Sequence, residues 1–280
     1  MKYSRNLFGS RLDITINSEN TDEELIETCF LQAQNFENKY SRFIKGNYLY
    51  NLNKQKSSQI DGELFSIINL CKKVSDLTEG YFDITIIPFL ENIGYGIEDI
   101  FMEENIGYKN IEIKDDVIYL KNNISIDLGS VGKGYIIDKI FTILDKKYKN
   151  FIINFGGDIR VKGKHTIFLE DPLDDKKIIG EIELQDCSIA SSSPNKRKTK
   201  KDHHLINPFD KNSQNDKLAI FLTHKLSSFS DIFSTALFVT PLDKSLKILS
   251  SIKGLEGLII DSNGEIYKSS NLNCNLYKKG

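Results

Sequence analysis

Three stretches of this chain carry residue types suited to phosphate, a hard cation or a proton. In Ile124-Ser-Ile-Asp-Leu-Gly-Ser-Val-Gly-Lys-Gly-Tyr135, the carboxylate of Asp127 is followed by Gly129, Gly132 and Gly134, with Lys133 between the last two. Glycine lets backbone approach a ligand closely, and the first N–H groups of a following helix lack internal partners and attract anions. The spacing is not that of a P-loop, because two residues rather than four separate the first two glycines, and Gly134 follows the lysine where Ser or Thr would hold magnesium. The plainer reading is a turn with a surface lysine.

A second stretch, Asp231-Ile-Phe-Ser-Thr235, puts a carboxylate and a hydroxyl four residues apart, on one face of a helix. Such hard oxygens suit Mg²⁺, which completes its shell with water and substrate phosphates. The competing reading is an acid favouring the helix dipole and a threonine bonded back to a carbonyl. The third stretch is His204 before Leu-Ile-Asn-Pro, a loop histidine able to move a proton near neutral pH or simply to cover a sheet edge. Asp83 stands alone in the apolar run Tyr81–Pro88, and Gly156-Gly157-Asp158 is either a ligand approach or a hairpin turn with a capping acid.

Positioning these groups falls to the following elements. Residues 11–16 alternate as a strand, and Thr21-Asp-Glu-Glu24 is a capping box opening a helix with Leu25, Ile26, Cys29, Phe30, Ala33 and Phe36 on its apolar side. A loop and a helical turn are expected over 40–53, then a helix from Asp61 to Gly80. Residues 111–113, 117–120 and 124–127 read as three short strands, and 135–148 as a helix. Strands are expected over 151–155, 158–161, 166–169, 180–184, 187–190 and 218–222, and helices over 230–239 and 242–251. Asn263-Gly264 closes a last hairpin. Irregular alternation with many hairpins predicts an α+β fold rather than a doubly wound sheet, with no linker dividing residues 1–280.

Composition removes several function classes. The net charge is −2, so no global nucleic-acid binder is implied, and the basic run 196–201 reads as a solvated loop. Four scattered cysteines make no CxxC pair and suggest neither a zinc site nor a disulfide framework. No stretch is long and apolar enough to span a bilayer, and no signal peptide is evident, so the chain as written is expected to be cytoplasmic unless a leader has been trimmed.

The order of the motifs is more specific than any one of them. Ser41-Arg-Phe with Leu52-Asn53, Gly80-Tyr-Phe-Asp83, Ile126–Gly134, Asn154-Phe-Gly-Gly-Asp158, Glu170-Asp-Pro172, His204-Leu-Ile-Asn-Pro208 and Ser230–Phe238 occur in the order found in the ApbE family, which the chain resembles over nearly its whole length. The resemblance implies a T-fold-like arrangement of mainly antiparallel sheets with flanking helices. It implies a Mg²⁺-dependent FAD:protein FMN transferase that splits FAD, attaches FMN to a Ser or Thr hydroxyl of an acceptor flavoprotein, and releases AMP. By the same resemblance Asp231, Thr235 and the Ser130 carbonyl would hold magnesium. Phe43, Tyr81, Phe82, Asp83, Asp127, Lys133 and Leu205 would contact FAD, and His204 would be the base. The alternatives are a Mg²⁺-dependent FAD pyrophosphatase and a non-catalytic flavin-binding protein. Asn207 stands where the family usually has an acid, removing a possible partner for His204 or the metal, and Ser191-Ser192-Ser193 lacks the family's glycine.

Overall fold

The computed structural model describes residues 1–96, 105–197 and 203–277; residues 198–201 of the basic run lie outside them. The chain opens with the hairpin β1 (Lys2–Leu7) and β2 (Ser10–Ile16), followed by the helices α1 (Glu23–Tyr40) and α2 (Tyr48–Gln55). Strand β3 (Ser57–Gln59), helices α3 (Gly62–Leu77) and α4 (Ile87–Asn92), and strands β4 (Ile111–Lys114) and β5 (Val117–Leu120) come next. Helix α5 (Gly132–Leu144) leads into β6 (Phe151–Phe155), β7 (Asp158–Lys162), β8 (Lys164–Asp171), β9 (Asp174–Gln185) and β10 (Ser188–Ser192). The last part contains β11 (Ile206–Asn207), β12 (Asn212–Ser213), β13 (Lys217–His224), α6 (Ser227–Val239), α7 (Leu242–Ser251), β14 (Glu256–Asp261), β15 (Ile266–Lys268) and β16 (Cys274–Leu276).

An eight-stranded sheet in the order β1-β2-β6-β7-β10-β13-β14-β15 is antiparallel throughout, in agreement with the α+β expectation. Both of its faces are covered, which is why strands such as 218–222 are continuously apolar rather than alternating. On β13, Ile220 and Leu222 join the core under helices α1, α5 and α6, while Ala219 and Phe221 join a second core under the small sheet β16-β9-β8.

Three sequence expectations are corrected. The cap of α1 is Asp22, whose carboxylate accepts the Leu25 N–H at 3.0 Å, while Thr21 instead meets the Tyr3 hydroxyl. An ionised acceptor makes the stronger cap, and Lys147 also pairs with it. Residues 124–127 form no strand; among the described residues the adjacent sheet is made of β3, β5 and β4. The Asn53 side chain replaces a neighbouring strand, donating to the Ile126 carbonyl (2.9 Å) and accepting its N–H (2.8 Å). Asn53→Ala would leave both buried groups unpaired, and a denaturant titration should show a loss of about 2–4 kcal/mol.

The third correction concerns where two helices start. α5 begins at Gly132 rather than Tyr135, and α6 at Ser227 rather than Ser230. Neither has a side-chain cap of its own; each is capped by an acid on the other. Asp231 of α6 accepts the Gly134 N–H (2.8 Å), and Asp138 of α5 accepts the N–H groups of Ser227 (2.7 Å) and Ser228 (2.9 Å). Asp138 is held in turn by Arg160 at 2.5 Å.

Candidate active site

The reciprocal capping carries Lys133 and Asp231 to one place. Both line a cavity of about 480 Å³, together with Ser130 and Thr235. Asp231 is buried within the second turn of α6, so the reading of it as a first-turn dipole acid does not hold. Nor is Thr235 bonded back to a carbonyl. Its hydroxyl makes no hydrogen bond among the described residues, whereas Ser234 and Thr240 on either side donate to the carbonyls of Asp231 and Ala236. Among the described residues no group of three or more His, Cys, Asp or Glu could hold a metal. A metal here would therefore rest on one carboxylate, a hydroxyl, a carbonyl, water and phosphate oxygens, a donor set that fits Mg²⁺ and not zinc.

Lys133 lies in the first turn of α5, and its ammonium pairs with the buried Asp158 at the start of β7. The hairpin motif Asn154–Asp158 thus serves the glycine–lysine stretch. Gly156 has a φ of +63°, and a Cβ there would strike the Ser10 hydroxyl at 2.2 Å, so the turn and the β1–β2 hairpin meet at the cavity wall.

Tyr81, Phe82, Asp83, Asp127, His204 and Leu205 also line the cavity. Asp83 is committed to its own loop: one carboxylate oxygen accepts the Thr85 N–H (2.8 Å) and hydroxyl (2.7 Å), the other the Tyr108 N–H (2.9 Å). Burial pushes its pKa up, against the effect of those donors. Asp127 is held from behind by the Arg42 guanidinium at 3.3 Å and by its own N–H on the Ile84 carbonyl. His204 follows His203, whose buried ring accepts the Leu205 N–H and sits 3.2 Å from the Asn215 side chain, fixing this loop.

Phe43 is the expected contact that the fold does not bring to the cavity wall. It is 47% exposed and packs edge-on against Tyr95, which does line the cavity. The residue that matters in that segment is its neighbour. Arg42 is buried, stacks on both rings, donates to the Tyr95 carbonyl at 2.7 Å and faces both Asp127 and Glu91. The sequence reading missed this wall; its only local mark is an aromatic between two glycines, Gly94-Tyr95-Gly96. Asn207 serves its own hairpin, donating to Asp210 (2.9 Å) and Gln214 (3.2 Å) and accepting the Phe209 N–H. It does not line the cavity, and an acid in its place would face the Asp210 carboxylate.

The sequence profile of the ApbE family matches residues 8–259. Among named relatives, an FAD:protein FMN transferase of Klebsiella pneumoniae is 23% identical over 96% of this chain and 91% of its own length. Another, from Buchnera aphidicola, is 29% identical over 75% of this chain and 68% of its own. The fold is that of the ApbE protein of Thermotoga maritima (TM-score 0.85, 23% identity, 96% of this chain and 97% of that one). It is equally that of the flavin transferase ApbE of Vibrio cholerae (TM-score 0.83, 19% identity, 96% and 97%).

Proposed function

The chain belongs to the ApbE family, and on that premise we propose that it is an FAD:protein FMN transferase, acting as a single domain over residues 1–280. FAD is the substrate, Mg²⁺ the metal, and the acceptor a flavoprotein bearing a Ser or Thr hydroxyl. The observation that carries this reading is the convergence of Lys133, Ser130, His204, Asp231 and Thr235, from distant parts of the chain, on one cavity of about 480 Å³.

In the reaction, the acceptor oxygen bonds to the FMN phosphorus as the bond to the bridging oxygen breaks, and AMP departs with that bond's electron pair. The hydroxyl proton passes to His204, since an alcohol is a weak nucleophile at neutral pH without a positioned base. Asp231, Thr235 and the Ser130 carbonyl would hold Mg²⁺, which when bound would supply screening of the pyrophosphate charge and of the charge on the departing phosphate. Lys133 and the N-terminus of α5 add positive potential on the same wall, the lysine being oriented by Asp158. Tyr81, Phe82, Tyr95 and Leu205 offer flat and apolar surface to the ring systems of FAD. Arg42 keeps Asp127 and Tyr95 in place against that wall.

Incubation with FAD, Mg²⁺ and a candidate acceptor should add the mass of FMN to the acceptor and release AMP. FMN and AMP with an unmodified acceptor would instead mean a pyrophosphatase, and FAD binding without turnover a binding protein. His204→Ala should lower transfer by about 10²–10⁴-fold while leaving FAD affinity within a factor of two or so; an equal loss of both would rule out its role as base.

A further inference from the structure

A second recess, of about 660 Å³, opens beside the first and shares Glu170, Ser191 and Ser193 with it. It lies where the β8–β9 hairpin lifts away from the main sheet, with Ala219 and Phe221 of β13 among its lining and the hairpin residues 170–175 above. Resting on the transferase reading, we propose that this recess takes an extended segment of the acceptor protein and delivers its Ser or Thr hydroxyl to the flavin cavity across Ser193.

The first ground is space. FAD occupies the cavity during transfer, so a polypeptide must reach the phosphorus from an adjoining opening, and this recess adjoins it. The second ground is charge. Glu170, Asp171, Asp174 and Asp175 line the recess with no lysine or arginine in its described lining, whereas the flavin cavity, which shares Glu170 and also holds Asp83, Asp127 and Asp231, adds Lys133 and the N-terminus of α5. The pyrophosphate finds cationic partners on the wall of the cavity and none in the described lining of the recess, which leaves the recess to a different kind of ligand. The third is an unspent polar group at the junction. Ser193 is only 7% exposed, yet its hydroxyl makes no hydrogen bond among the described residues, although Ser192 beside it bonds Ser234 at 2.9 Å. The hydroxyl lies on the lining that the two openings share, where a passing peptide backbone supplies both donor and acceptor. Leu173, 64% exposed at the rim, adds apolar contact for a side chain of that segment.

The test uses a pool of short synthetic peptides randomised around one fixed threonine, incubated with the full chain, FAD and Mg²⁺. Peptides gaining FMN are read by mass spectrometry, and FAD affinity by quenching of flavin fluorescence. Leu173→Asp and Asp175→Trp, both in the recess and outside the flavin cavity, should each cut peptide labelling by at least about ten-fold at unchanged FAD affinity, with Ser193→Ala, which removes only the junction hydroxyl, falling between these and wild type. Labelling that survives both substitutions would overturn the proposal. So would FAD affinity falling in step with labelling, because the recess would then belong to the FAD site. A wild-type protein that binds and cleaves FAD yet labels no peptide would also overturn it, leaving the flavin cavity as read; failure to bind FAD at all would strike the transferase reading itself.

Discussion

Asp231→Asn is expected to fold and bind FAD but to lose Mg²⁺-dependent FAD cleavage by at least about 10²-fold, the scale of a charge-stabilising group removed from a reacting centre. The substitution separates the residue's two roles. Its carboxylate accepts the Gly134 N–H at 2.8 Å, and an amide oxygen can do the same, so the cap on α5 survives. The negative charge facing the cavity does not. Asp231→Ala removes both, and should cost about 1–2 kcal/mol of stability in addition to the activity. Thermal unfolding beside AMP release with and without Mg²⁺ distinguishes the pair. Full activity in the asparagine variant would remove Asp231 from the metal site and leave it as a helix cap only.

Gly134→Ala should damage both the fold and the site, although it adds only a methyl group. In most helices alanine is better than glycine by about 1 kcal/mol. Here its Cβ would lie 2.4 Å from the Ser227 carbonyl oxygen and 2.7 Å from the Asp231 Cβ, and the first of these is backbone that cannot rotate aside. Helices α5 and α6 must separate, which strains the reciprocal caps and moves Lys133 away from Asp231. A net loss of about 3 kcal/mol or more follows from overpacking of this kind. Denaturant unfolding and FAD binding should fall together; an unchanged midpoint with unchanged FAD affinity would show that the two helices can slide without cost.

Cys29 at helical spacing with Leu25, Ile26, Phe30 and Ala33, and Cys71 with Leu64, Ile67, Ile68 and Val74, lie on apolar helical faces that the sequence alone shows, and their burial has a chemical consequence. Cys29 and Cys71 are both buried, and loss of solvent pushes the Cys29 thiol up to about 12, so neither is available as a nucleophile at neutral pH. The strand and helix runs at 151–155, 242–251 and 258–268 were equally legible, because their apolar spacing is set by burial on a surface of known period. Element ends were less so. The sequence-based starts of α5 and α6 were three residues late, since local propensity carries no sign that an acid from another helix will take the first N–H groups.

What the sequence by itself determined was chemical identity: a lysine among glycines, a carboxylate and hydroxyl one helical turn apart, a histidine before an apolar pair, and the family order in which they occur. Residue types and close spacings are properties of the chain, and they survive whatever the fold does with them. Only the tertiary structure decided which of these meet. Asn53 holds Ile126 from 73 positions away, Asp231 caps Gly134 from 97, and Arg42 rather than Phe43 supports the cavity wall. Such partners are chosen by packing between elements, where distance along the chain has no bearing on distance in space.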